Sequence, residues 1–504
     1  MSTINTTSSV NAATNKAKDQ VSQAAQSIIS GSTGNSSLDV SSLVSALVNA
    51  KTAGQSTALT AKQTRDNTTL SAFGALTSAL NALQAAVKSL ADGTTLSTFA
   101  ATASGKGLDA KAGAGAVAGS YSVEVKQIAS AQSLSSAAFG SDAKLGTGKL
   151  TISVGGKSMD VSVEEGNNTL SGIANAINKA ANNPGVTATI VTGTGGAHLV
   201  LRSTVSGAAN TINVAVSGVQ NDAGLSRLGV NSTPGTNGAE STIVSSDPNN
   251  AWKQSDPAQD AEFTIGGITA TSPSNAVTTA ISGITLNLSS AAVGTTQTLT
   301  IAPDTTAQNT AITNFANLYN TVVTTINSLS AYDKTSKTAG VLLGDSTLNT
   351  IKNDLATIIG SVVGSGSSAV GLGSIGISLK GDPADGTLVV DNKALSAALA
   401  SNPARVAAVF NSTNGIGAKL TTSITQFTRV GGIIDTRNSA LNADLKSIAA
   451  QQTRLATYTS QLTNQYQAQF TALNKLMATM NNNSQYLTAL FGGTNSAGAL
   501  ATNK

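Results

Sequence analysis

Cysteine is absent from the 504 residues, and histidine occurs once, as His198. The first absence removes disulfides, thiolate metal sites and a cysteine nucleophile. The second removes any metal centre needing two imidazoles and leaves one candidate for a triad. Charge is scarce as well: Asp, Glu, Lys and Arg make up 11% of the chain, where about 25% is usual. Its 29 basic and 25 acidic residues leave a formal net charge of +4 with no basic stripe of the kind that neutralises phosphates, so nucleic acid is not an expected partner. Aromatics at 3% exclude a dense aromatic core. Residues 1–30 hold no apolar run long enough for a secretory signal, and no cleaved signal peptide is expected. The longest charge-free apolar stretch, 355–379, is broken by Gly360, Gly364, Gly366, Gly371, Gly373 and Gly376; it reads as loop and strand, and membrane insertion is not expected.

Small residues fill the space: Ala, Ser, Thr, Asn and Gly dominate, so the expected architecture is a series of modules with modest cores. After a polar N-terminal stretch, residues 36–50 (SSLDVSSLVSALVNA) open a helix that Asp39 or Ser41 can cap, with Leu43 and Leu47, and Val44 and Val48, at helical spacing. A second helix is expected over 59–90. There Phe73, Leu80 and Val87 repeat every seventh residue, as do Leu76, Leu83 and Leu90. The C-terminal end has the same period. Leu441, Ile448, Leu455, Leu462 and Leu476 hold one heptad position, broken at Gln469; Leu445, Tyr466, Leu473, Met480 and Leu487 hold the other, broken at Gln452 and Thr459. A long helix cannot bury such a stripe alone, so the two ends should pack on each other or on copies in neighbouring subunits.

Between the ends the pattern changes to period two. YSVEVKQI (121–128) alternates, and so do LTISV and KSMDVSV (149–163 with the intervening turn), where Gly155-Gly156 suits a tight hairpin. A short helix is expected over 169–181, followed by strands over 186–191, 198–203, 211–216, 262–270 and 284–288. Residues 305–332 return to helix, with Ile312, Phe315, Tyr319, Val322 and Ile326 on one side. The fold class is therefore α+β and multidomain, with helical ends around an inserted β-rich middle.

No constellation supports an enzyme. The spacing Gly371, Gly373, Gly376 matches a dinucleotide fingerprint, but strand and turn follow it where a helix is required. Asp382, Asp385 and Asp391 miss the ligand order of a calcium loop. Glu164 and Glu165 are neighbours that a strand would point to opposite faces. No cofactor or metal is expected.

Taken in chain order, these segments resemble the bacterial flagellar filament-capping proteins, the hook-associated protein 2 family. Residues 38–63 with the helix behind them resemble the family's N-terminal region, and GSYSVEVKQIASAQSL (119–134) its first head strand. LSGIANAINKAANNPGVTATIV (170–191), with Ile177, Asn178, Gly185 and Val186, resembles the hook IN motif. Residues 263–288, 314–332 and 431–455 (GGIIDTRNSALNADLKSIAAQQTRL) continue the match, which spans nearly all of 38–493.

The resemblance implies a helical coiled-coil terminal region (38–65 and 435–490) and a helical leg (66–97 and 305–434). It also implies a first β-rich head domain (98–130 and 236–304) and a second carrying the IN motif (131–235). A polar flexible extension (1–37) and a flexible tail (491–504) complete the chain. It further implies a ring homo-oligomer of about five or six subunits at the flagellum tip. Such a ring would hold flagellin above the hook-filament junction protein, after export by the flagellar type III apparatus with a cytoplasmic chaperone. Host surface glycans are a further partner class. On this reading Leu43, Leu47 and the residues from Phe73 to Leu90 form an N-terminal seam, and the C-terminal heptads from Leu441 to Leu487 make the subunit and flagellin contacts. The alternatives are a flagellin, a junction protein, or a surface adhesin built of Ser- and Thr-rich β modules.

Overall fold

The computed structural model describes residues 6–33, 39–236, 238–366 and 369–491. It divides into two compact units, one built from the stretches before residue 97 and after residue 307, the other from Ser97–Ala307.

In the first unit the chain opens with helix α1 (Thr6–Thr33). This corrects the expected polar flexible extension over that range; residues 1–5 and 34–37 lie outside the described ones. Ala13, Ala17 and Val21 recur every fourth residue, and Ala17 is buried. The packing stripe is made of side chains so short that the stretch reads as polar. Helix α2 (Val40–Ala91) starts at Asp39, whose carboxylate accepts from the N–H of Ser42 at 3.1 Å. The two helices expected over 36–50 and 59–90 are one. The intervening KTAGQSTA has no proline, and an interior glycine such as Gly54 costs only about 1 kcal/mol, which the packing on either side offsets.

The leg core forms around the second half of α2. Phe73, Leu76, Leu80, Leu83, Val87 and Leu90 are sealed from solvent. They pack with Ile312, Phe315, Tyr319, Val322 and Ile326 of α4 (Thr305–Ser330) and with the apolar faces of α5 (Ser346–Ile359), α6 (Asn392–Ser401), α7 (Pro403–Phe410) and α8 (Ile416–Thr428). Leu441 joins from α9 (Ile433–Phe491). The rings of Phe315 and Phe410 meet edge to face at 5.4 Å, the arrangement that ring quadrupoles favour. Two small hairpins, β18 (Tyr332–Asp333) with β19 (Thr338–Ala339) and β20 (Ile377–Leu379) with β21 (Leu388–Val390), complete the unit. One stretch of α2 is apolar and long enough to cross a membrane by composition alone; its large side chains from Phe73 to Leu90 are committed to this core.

The second unit holds two β modules. In one, the sheet order is β1 (Phe99–Ala103), β17 (Thr296–Pro303), β3 (Gly119–Gln127), β13 (Ala261–Ile265) and β14 (Ile268–Ser272). A second sheet, β15 (Ala276–Ile281), β16 (Ile284–Leu288) and β2 (Leu108–Ala112), packs with it around Val123, Phe263, Leu286 and Leu299. Alternation explains the layering, since every second residue of β16 and β17 is buried.

The other module has a sheet in the order β11 (Thr242–Ser245), β10 (Val230–Thr233), β9 (Ile212–Gln220), β5 (Thr147–Val154), β6 (Lys157–Val163). Its second sheet runs β12 (Lys253–Asp256), β4 (Ser133–Ser135), β8 (Gly196–Ser203), β7 (Val186–Gly193). Helix α3 (Leu170–Lys179) buries Leu170, Ile173 and Ile177 in the same core. The β5–β6 turn has Gly155 at φ +55° and Gly156 at φ +79°, the doubly left-handed turn that the Gly-Gly pair suits.

The second module extends past the expected limit at residue 235. Strands β11 and β12 belong to its sheets, and Trp252 lies in its core. Those strands are short and polar, so they carry little periodic signal. Gln132, fully buried, ties the module together: its carbonyl oxygen accepts from the N–H of Ile212 at 2.6 Å, and its amide donates to Gln254 Oε1 at 2.7 Å.

Replacing Leu80 or Phe315 by Ala is expected to cost about 2–5 kcal/mol, lowering the denaturant midpoint of the leg. Unchanged midpoints in both variants would contradict the packing described.

Candidate functional site

The two chain ends meet in an antiparallel helical stem. Leu59 of α2 packs with Ile448 and Leu455 of α9, and Leu445 lies against them half-buried. Further out, Val44 and Val48 pack with Leu462, Tyr466 and Phe470, and Leu43 with Leu47 and Phe470. The heptads thus find their partner within the same chain from Ile448 to Tyr466. Of the N-terminal seam residues, only Leu43 and Leu47 belong to this stem; Phe73 to Leu90 belong to the leg core, as does Leu441.

Two of the three polar breaks in the heptads, Gln452 and Thr459, are satisfied locally. Gln452 donates across the stem to Gln63 Oε1 at 3.1 Å. The hydroxyls of Thr459 and Thr52 donate to carbonyls one turn back, those of Leu455 at 2.8 Å and Val48 at 2.9 Å. Phe470 is the contact residue that heptad counting missed. It follows Leu462 and Tyr466 at four-residue spacing, so the seam drifts around the helix near its outer end, and its ring stands 6.4 Å from that of Tyr466.

Beyond Phe470 the partner ends. Helix α2 begins at Val40, opposite that position, whereas α9 runs on to Phe491, roughly 30 Å further at 1.5 Å per residue. Leu473, Leu476, Met480, Leu487 and Phe491 are exposed there, Met480 at 63% and Phe491 at 71%. Heptad positions therefore continue on a helix that, among the described residues, has no partner helix against them.

The IN-motif residues cluster between α3 and β7. Ile177 and Val186 are buried in the module core, Asn178 bonds both backbone groups of Ala188, and Gly185 takes φ +103°. A Cβ at Gly185 would meet Thr204 Oγ1 at 2.8 Å, so the position is closed to larger residues on both grounds.

The weak chemical motifs are structural. Gly371–Gly376 forms a single 3-10 turn ending in left-handed Gly376. Asp391 caps α6 through the N–H groups of Lys393 and Ala394. The hydroxyl and then the N–H of Thr387 hold the Asp385 carboxyl down to about 2. Glu164 lies in an exposed turn whose N–H donates to Asn167. His198 donates from Nδ1 to the Ser136 carbonyl at 2.8 Å. Among the described residues, no three His, Cys, Asp or Glu side chains gather as metal ligands would.

Three family models match: the N-terminus of flagellar hook-associated protein 2 over 36–132, its C-terminus over 258–482, and the flagellin hook IN motif over 149–205. Flagellar hook-associated protein 2 of Escherichia coli K12 is 32% identical over 473 residues, covering 90% of this chain and 96% of its own length. This chain belongs to the flagellar hook-associated protein 2 family.

The B-type flagellar hook-associated protein 2 of Pseudomonas aeruginosa is 29% identical, with 91% and 96% covered. The crystal structure of the D1-D2-D3 domains of the flagellar cap protein FliD from Escherichia coli superposes with a TM-score of 0.57 at 32% identity, covering 74% of this chain and 99% of that one. The family is thus one of structural flagellar cap proteins, and its helical ends and β-rich middle are those described above.

Within the family frame the stem divides in two at Phe470. Ile448→Ala is expected to cost about 2–5 kcal/mol, whereas Leu476→Ala should fall within about 0.5 kcal/mol of the unmodified chain. Urea denaturation followed by circular dichroism measures both; equal losses would mean that the two residues share one environment.

Proposed function

We propose that this chain caps the distal end of a bacterial flagellar filament as a ring of about five or six copies, holding newly exported flagellin while it folds and inserts. The observation that carries this reading is the bare apolar end of α9. Leu473, Leu476, Met480, Leu487 and Phe491 keep the stripe of a paired helix beyond the last residue of α2 that pairs with it. Exposed stripes of this length mark association surfaces. Here the partners would be neighbouring copies in the ring and, before export, a cytoplasmic chaperone on the same segment. Below the ring, the hook-filament junction protein would be the first neighbour.

The composition fits this role. A chain with no cysteine, 11% charge and short side chains has little to impede passage, unfolded, through a narrow type III export channel. It meets no need for disulfide formation outside. The capping action itself is steric and apolar, with no covalent step.

Charged replacements separate assembly from folding. The full chain carrying Leu476→Asp and Leu487→Asp should be secreted and folded yet fail to support filament growth, with flagellin lost to the medium. Leu462→Asp, inside the intrachain seam, should instead destabilise the subunit, because a buried unpaired charge costs several kcal/mol. Normal filaments grown from secreted, folded Leu476→Asp/Leu487→Asp protein would overturn the assignment.

A further inference from the structure

Strand β7 is the outermost strand of its sheet. Odd-numbered residues of β8 turn towards β4: the N–H of Leu199 donates to Ser136 Oγ, and the N–H of Ser203 to the Gln132 carbonyl. Even-numbered residues of β8 therefore face β7. With Val186 opposite Ser203 and Ala188 opposite Leu201, the backbone groups of Val186 and Ala188 point outward, where an edge strand normally lies open.

Both outward rungs are occupied by side chains. Asn178 Nδ2 donates to the Ala188 carbonyl at 2.7 Å, and its Oδ1 accepts from the Ala188 N–H at 2.9 Å. Two residues along, Asn183 does the same for Val186: Nδ2 donates to its carbonyl at 2.8 Å, and Oδ1 accepts from its N–H at 2.7 Å. A primary carboxamide carries one donor face and one acceptor, the complement that a neighbouring strand presents. Each asparagine reproduces one rung of a ladder.

The strand so covered has none of the usual protection. VTATIVTG contains no charge and no proline, is mostly β-branched, and leaves Val191 half exposed. Such a segment on an open edge pairs readily with its own copy. We propose that Asn178 and Asn183 are edge-blocking residues. They stand in for a strand along the first half of β7 and so deny that edge to antiparallel pairing with β7 of a second copy. This inference is independent of the capping role.

The test uses the full chain. In Asn178→Ala the Ala188 amide should exchange with solvent about tenfold faster, and in Asn183→Ala the Val186 amide should do so. The double variant should show a mass in light scattering above that of the unmodified chain at equal concentration. Adding the exposed-face change Thr189→Lys should return it to the unmodified mass, since an edge lysine opposes strand addition. Ile152→Ala, in β5 of the other sheet, loosens the module core away from the helix that carries Asn178, and should associate no more than the unmodified chain.

If the double variant does not fold, exchange of the Ala188 and Val186 amides in the two single variants decides the proposal. Unchanged exchange in the single variants would overturn the proposal. So would association by Ile152→Ala equal to that of the double variant, or association that Thr189→Lys does not reverse.

Discussion

Everything in the first unit depends on one helix being shared. Helix α2 supplies Phe73 to Leu90 to the leg core and Leu43 to Leu59 to the stem, and both sets are buried by residues from beyond position 310. Neither half can form until the chain has returned. Closing a loop of about 210 residues carries an entropy cost that grows only with the logarithm of its length, so a large insertion is tolerated once the apolar surface on both sides is sufficient. The leg provides that surface, and the stem extends it. At the point of departure the fully buried Gln308 donates to the carbonyl of Leu96 at 2.9 Å, fastening the outgoing and returning strands of chain to each other.

The two β modules are built on aliphatic cores with few aromatic rings. Val123, Phe263 and Leu299 in one, and Ile152, Ile173 and Leu201 in the other, sit in cores made mostly of leucine, isoleucine, valine and alanine. Side-chain amides supply what volume does not. Gln132, Asn178 and Asn183 each satisfy backbone groups that the sheets leave unpaired, and buried hydrogen bonds of this kind fix register where packing alone would allow slippage.

Much of this was legible in the residues. Heptad spacing located the α9 side of the stem and the α2 side of the leg core, helical spacing located Leu43 to Val48, and period-two alternation located β3, β5, β6 and β8, because those signals come from large apolar side chains. What escaped notice had no such signal. Helix α1 packs through alanines, β11 and β12 are short and polar, and an asparagine that completes a sheet edge looks in sequence like a turn residue. The bare end of α9 escaped for a different reason. A heptad pattern records that a helix is built to be covered but not where its cover stops; only the position of Val40 opposite Phe470 decides that Leu462 is paired and Leu476 is not.

The stem and the leg differ in how their burial is distributed, and that difference sets how the molecule yields. The leg core is a three-dimensional cluster in which each side chain has neighbours from several helices. The stem is a single file of contacts, with Gln63, Gln452 and back-bonded threonines between them. A file opens one rung at a time from its free end, each step releasing little buried area, whereas a cluster opens all at once. Unevenly shared burial thus makes the outer stem the least securely held part of the unit, and the leg the part that holds its shape for the rest.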